Sequence, residues 1–121
     1  MKRVLIVEDQ ADIRQLIRMT LEFETLDIHE ADNGDTGLEM ARALRPDLVL
    51  LDIMMPGSLD GFEVCTRIKR DPALQRMKVV ILSARGQDND IEQGRQSGSD
   101  DYLTKPFSPK QLLNVVTTQL A

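Results

Sequence analysis

Hydrophobic and polar positions along this chain follow two alternating periods. "RVLIV" (3–7) is a continuous aliphatic run of strand length. From Asp12, apolar residues recur at Ile13, Leu16, Ile17 and Leu21, the one-face spacing of a helix. "LDIHEA" (26–31) reads as a weaker, partly polar strand. "NGD" (33–35) is a turn signal, and Leu38, Ala41 and Leu44 point to a second helix. "DLVLLDI" (47–53) is a strand with no alternation, and Phe62, Cys65 and Ile68 follow at helical spacing until Asp71-Pro72 stops them. "KVVILSA" (78–84) is another buried strand, and "DYLT" (101–104) a short one. Between them, the polar segment 86–97 is expected to be a helix of low stability, with one large aliphatic, Ile91, and two glycines, Gly86 and Gly94. The last helix covers 108–120, its start marked by Ser108 as N-cap, Pro109 at the first helical position and Gln111 completing a capping box.

Five strands thus alternate with five helices. Continuous aliphatic strands imply burial on both faces, hence an α/β fold with a parallel sheet covered by helices. A length of 121 residues implies one domain, residues 1–121, around one core. Hydrophobic content of 41% and charged content of 29% are those of a soluble globular protein. No apolar run approaches membrane-spanning length and no signal-peptide core is present, so no membrane partner is expected. The single cysteine, Cys65, excludes an internal disulfide and fits a reducing cytoplasm. A net charge of −5 and 3% aromatics argue against direct nucleic-acid binding.

In sheets of this kind, ligands bind beyond the carboxyl ends of the strands. There the strands stop at Glu8-Asp9, Asp52, Ser83 and Thr104-Lys105. Crowded carboxylates repel one another, and a hard divalent cation removes the conflict; Mg²⁺ suits such oxygen ligands and combines readily with a phosphate. Asp52 can then attack phosphorus to form an aspartyl-phosphate, with Lys105 neutralising charge on the phosphoryl group and Ser83 donating a hydrogen bond to it. Each residue also has a plainer explanation. Asp9 reads equally as a helix cap, Asp52 as a turn residue before "MMPG", Ser83 as a strand-end hydroxyl and Lys105 as a solvated lysine. The joint placement at one rim favours the constellation. His29 is expected to be solvated, and Cys65 to be core. A lone histidine and a lone cysteine exclude zinc. Met54 and Met55 are expected to be loop contacts.

At these residues the sequence resembles the receiver domain of two-component response regulators. The matching stretches are "VLIVEDQ" (4–10), "PDLVLLDIMMPG" (46–57), "DGFEV" (60–64), "VVILSAR" (79–85) and "DDYLTKPF" (100–107), in the family's order and across nearly the whole chain. The resemblance implies a doubly wound (βα)5, flavodoxin-like three-layer sandwich with strand order 2-1-3-4-5. It implies that Asp52 accepts phosphate from a sensor histidine kinase or phosphotransfer protein. Asp9, Asp52 and the Met54 backbone carbonyl resemble direct Mg²⁺ ligands, and Glu8 the acid that holds the metal through water. Ser83 matches the switch hydroxyl, Tyr102 the aromatic that turns inward on activation, and Lys105 the phosphate-binding lysine. Lys105-Pro106 matches a bond that is usually cis. The output is a downstream effector or a phosphorylation-dependent homodimer. One departure is visible: "GSL", between Pro56 and Asp60, is one residue longer than the usual loop, which leaves its shape and the approach of a kinase open.

The leading reading is a phospho-accepting switch that turns over no external substrate. A small Mg²⁺-dependent aspartyl phosphohydrolase is a second class, but the position two after Asp52, where such enzymes carry an acid, is Met54, and the chain has no room for a cap. An FMN module needs a Gly- and hydroxyl-rich loop where this chain has Glu8-Asp9. A receiver-like interaction module working without phosphorylation would not need the acidic set, Ser83 and Lys105. Met54 and Arg85, which flank the path of attacking water, carry no group to orient one, so slow self-hydrolysis is expected. The kinase, the output, and whether the chain stands alone or is part of a longer one are not legible.

Overall fold

A computed structural model describes residues 1–84 and 86–121. Arg85, read above as flanking the water path, lies outside the described residues. The elements are β1 (Lys2–Val7), α1 (Ala11–Leu21), β2 (Leu26–Ala31), α2 (Gly34–Leu44), β3 (Leu48–Asp52), α3 (Gly61–Arg70), β4 (Lys78–Ser83), α4 (Asp88–Gln96), β5 (Asp101–Thr104) and α5 (Pro109–Leu120). The strands form one parallel sheet in the order β2-β1-β3-β4-β5. Element boundaries lie within two residues of those expected from the periodicity.

Why these runs pair in parallel follows from burial. Every residue from Val4 to Val7, from Leu48 to Asp52 and from Val79 to Ser83 is buried. Successive side chains then alternate between the two faces. Val4, Ile6, Leu48, Leu50, Val80 and Leu82 pack with Ile17 and Leu21 of α1 and Leu112 and Val116 of α5. Leu5, Val7, Val49, Leu51 and Val79 pack with Leu38 and Ala41 of α2 and Val64, Cys65 and Ile68 of α3. The result is the doubly wound three-layer sandwich expected. No helix among the described residues is long and apolar enough to cross a membrane.

Helix starts follow local chemistry, with one correction. Asn33 accepts from Thr36 N at 2.8 Å, Asp60 accepts from Glu63 N at 2.9 Å, and Ser108 and Gln111 close the capping box in both directions. At α1 the N-cap is Gln10, with no side-chain cap bond, so Asp9 does not serve as the cap.

The loop with the extra residue is well seated. Leu59 is buried in the α2–α3 core, while Ser58 donates its hydroxyl at 2.8 Å and its backbone N–H at 3.3 Å to Asp35. The loop is thus tethered to α2.

The helices differ in how firmly they are held. α4 buries only Asp90 and Gly94, and its one large aliphatic, Ile91, stays half-buried. An interior glycine also costs about 1 kcal/mol relative to alanine. Amides of 88–96 are therefore expected to exchange hydrogen faster than those of α1 and α5. Native-state exchange read by mass spectrometry or NMR checks this, and α4 protection equal to that of α1 contradicts it.

Candidate functional site

Sheet register builds the site. Val7 pairs with Leu51, Asp52 with Leu82, and Ser83 with Thr104, so strands β1, β3, β4 and β5 end side by side. The residues at or just past those ends are Glu8-Asp9, Asp52, Ser83 and Lys105. One carboxylate oxygen from each of Glu8, Asp9 and Asp52 lies within 4.8 Å of the others. Lys105 Nζ sits 2.6 Å from Glu8 Oε1 and 3.4 Å from Asp52 Oδ1. The Lys105–Pro106 peptide bond is cis, as the resemblance implies. Asp9, Gln10, Asp52, Met54, Ser83, Ala84 and Lys105 line a cleft of about 280 Å³ over this cluster. Tyr102 is not in that lining; it lies half-buried against Ile53, Phe62 and Ile81.

Burial makes the charges costly. Glu8 is fully buried, and Asp52 and Ser83 are buried beside it. Burial is the largest cause raising Glu8 to about 7; the hydrogen bond from Lys105 pulls against it, and neighbouring Asp52 adds to it. Asp52 is also raised, again chiefly by burial, with Glu8 and Lys105 opposing the rise. Both carboxyls are therefore pushed toward the protonated form by burial. Among the described residues, the buried Asp9 Oδ1 has no hydrogen-bond partner, an orphaned acceptor on a member of the carboxylate cluster. Three hard oxygen donors, one of them unsatisfied, fit a divalent cation of the Mg²⁺ type.

Several neighbours of the site were not singled out by sequence. Arg14 of α1 donates to the Glu8 backbone carbonyl at 2.8 Å and is itself held by Glu30 of β2 at 3.2 Å. Gln10 N lies 3.3 Å from Glu8 Oε2. Gly61, the first residue of α3, has no room for a side chain: a Cβ there would collide with the Asp52 carbonyl oxygen. A polar helix position such as Arg14 reads as solvent-facing in a sequence, and only the packed α1–β2 pair turns it inward. The Asp-Gly pair at 60–61 carried a usable signal, since a glycine just inside a helix start marks close backbone approach. The residues left with plain readings behave largely as expected. Cys65 is buried, with its thiol pushed up by burial, and Met54 is exposed in the loop. His29 is half-buried rather than open to solvent, its Nε2 3.1 Å from Asp27 Oδ1.

Comparison with known proteins points one way. Residues 4–117 match the family described as the response regulator receiver domain. Transcriptional regulatory protein ResD of Bacillus subtilis is 43% identical over 111 residues, 92% of this chain and 45% of that protein. This chain spans about half the length of the curated relatives it matches. Among solved structures, chemotaxis response regulator CheY4 of Vibrio cholerae has a TM-score of 0.92 at 28% identity, covering 99% of each chain. The BeF3-activated DrrB receiver domain has a TM-score of 0.88 at 29% identity, covering 99% of this chain and 97% of that one.

The raised Glu8 value has a consequence for stability. A carboxyl group that holds its proton more tightly when folded stabilises the protein below its unfolded value of 4.5, and that contribution is lost as pH rises through about 7. In metal-free buffer, Glu8→Gln should therefore flatten the fall in unfolding free energy between pH 5 and 7.5 by about 2 kcal/mol. Urea denaturation of both proteins at the two pH values measures it. Parallel pH profiles would show that Glu8 is not the group responsible.

Proposed function

The chain belongs to the response regulator receiver family of two-component systems, and on that premise we propose that residues 1–121 form one receiver unit whose Asp52 is a phosphoacceptor. The observation that carries this reading is the cluster itself: Asp52 beside Glu8 and Asp9, with Lys105 Nζ 3.4 Å from Asp52 Oδ1. An Asp52 carboxylate oxygen forms the new O–P bond as the P–N bond of a kinase or phosphotransfer phosphohistidine breaks, and the imidazole leaves with that electron pair. Lys105 shifts from Glu8 toward the oxygens of the arriving group. Ser83, lining the same cleft, donates to another of them. Asp9, Asp52 and the Met54 backbone carbonyl would hold Mg²⁺ directly, and Glu8 through water. When bound, the metal neutralises carboxylate and phosphoryl charge. The BeF3 activation of the similar DrrB domain supports the reading, because BeF3 on a carboxylate takes the tetrahedral shape of a phosphoryl group.

The chain acts as a signalling switch with no external substrate to turn over. A phosphohydrolase reading finds no support, since Met54, two after Asp52, supplies no acid. The output surface is the face made by α4, β5 and α5, read by an effector or by a second phosphorylated copy. A net charge of −5 speaks against direct nucleic-acid binding by these residues.

Two outcomes are expected. With a dissociation constant on the order of 1 mM, about 10 mM Mg²⁺ adds roughly 1.4 kcal/mol of stability by linkage. Asp9→Asn removes most of that gain. Thermal melts against a matched non-binding salt read the effect, and equal shifts with both salts count against the metal site. With Mg²⁺ and a small phosphodonor, one base-labile phosphoryl group appears on Asp52, and Asp52→Asn abolishes it. Undiminished labelling of that variant, read by intact mass, refutes the assignment.

A further inference from the structure

The inner face of α4 carries an unusual gap. Its buried helical positions are Asp90 and Gly94, one turn apart, and neither offers an apolar side chain. The space beside Gly94 is taken from the other side. A Cβ at Gly94 would stand 2.8 Å from Tyr102 Cδ2 and 3.1 Å from Tyr102 Cε2, closer than packed carbons approach, and 3.4 Å from Ile81 Cδ1. The ring therefore lies directly against the helix backbone, with Ile53, Phe62 and Ile81 around it. Gly94 is also pinned in place: its carbonyl accepts Ser97 Oγ at 2.6 Å, Ser99 Oγ at 2.9 Å and Ser99 N at 3.2 Å.

We propose that Gly94 is the positioning residue of the output face. The missing side chain admits the Tyr102 ring, and that ring becomes the fastener between α4 and the sheet. α4 has only the half-buried Ile91 as a large apolar side chain of its own, so displacement of the ring loosens the helix. Ring position and α4 stability are then one equilibrium, which a partner on the α4–β5–α5 face can bias through differential affinity. The link to signalling rests on the phosphoacceptor reading above; the seat itself does not.

Tyr102 is the only tyrosine and the chain has no tryptophan, so intrinsic fluorescence reports this ring alone. The test combines Gly94→Ala, Tyr102→Ala and the double variant. Helix propensity alone makes alanine the better residue at an interior helical site, worth a rise in Tm of about 4 °C. That rise is expected on the Tyr102→Ala background, where the ring is absent. On the wild-type background the added methyl displaces the ring, so Tm fails to rise and acrylamide quenching of Tyr102 increases. Tyr102→Ala should also speed amide exchange in 88–96 while leaving α1 unchanged. An equal Tm rise on both backgrounds, unchanged quenching in Gly94→Ala, or unchanged α4 exchange in Tyr102→Ala each overturns the proposal. Adding Mg²⁺ and beryllofluoride to wild type separates the two readings. A change in quenching that Gly94→Ala suppresses, while the ligands still raise its Tm, supports the seat as part of the switch. If the ligands leave both Tm and quenching of wild type unchanged, the phosphoacceptor reading fails while the three variants still decide the seat.

Discussion

The crowding of carboxylates at the ends of β1 and β3 is the constraint on which the rest depends. Parallel register brings Glu8, Asp9 and Asp52 to one point, within 4.8 Å, and burial withdraws the water that would screen them. Each buried charge without a counter-charge costs several kcal/mol. Among the described residues, Lys105 brings a cation to Glu8 and Asp52, closest to Glu8. The protein can meet the remainder in two ways, by keeping a proton on Glu8 or by taking up a cation. The first appears as the raised Glu8 value, the second as the orphaned Asp9 oxygen. A site in this condition is primed for anything that brings positive charge or redistributes it.

The surrounding scaffold is rigid where the chemistry needs precision. The Glu8 peptide is held at both ends, its N–H by Ala31 O at 3.0 Å and its carbonyl by Arg14 at 2.8 Å. The backbone of Asp52 is closely backed by Gly61. Strand-borne groups supported in this way keep their geometry while ligands change. The sparsely packed element is α4, which follows β4 in the chain. There the core offers a ring against a bare backbone in place of interlocking aliphatic side chains. Regions that respond to ligands are drawn from the weakly held parts of a fold, and α4 is such a part.

The lengthened loop shows how a local irregularity is absorbed. The extra residue could have disturbed the loop that follows Met54. Leu59 instead adds apolar area to the α2–α3 core, and Ser58 uses the exposed Asp35 as a tether.

Much of this was legible in the sequence, because its signals are local. Unbroken aliphatic runs can only be strands buried on both faces, and helical spacing with capping residues marks the helices between them. Since strand ends carry the ligands in such sheets, Glu8, Asp9, Asp52, Ser83 and Lys105 stood out before any packing was known. What tertiary structure decided depends on groups far apart in the chain. Lys105 pairs with Glu8 across 97 positions, and no periodicity encodes that it approaches Glu8 more closely than Asp52. Arg14 turns inward only because β2 sets Glu30 beside it. Gly94 looked in sequence like a weakness of α4, costing helix stability, and packing shows it as the opening that receives Tyr102. Sequence patterning reports how each segment divides itself between water and core; which buried group meets which is settled when the layers close, because close approach and charge pairing are properties of pairs.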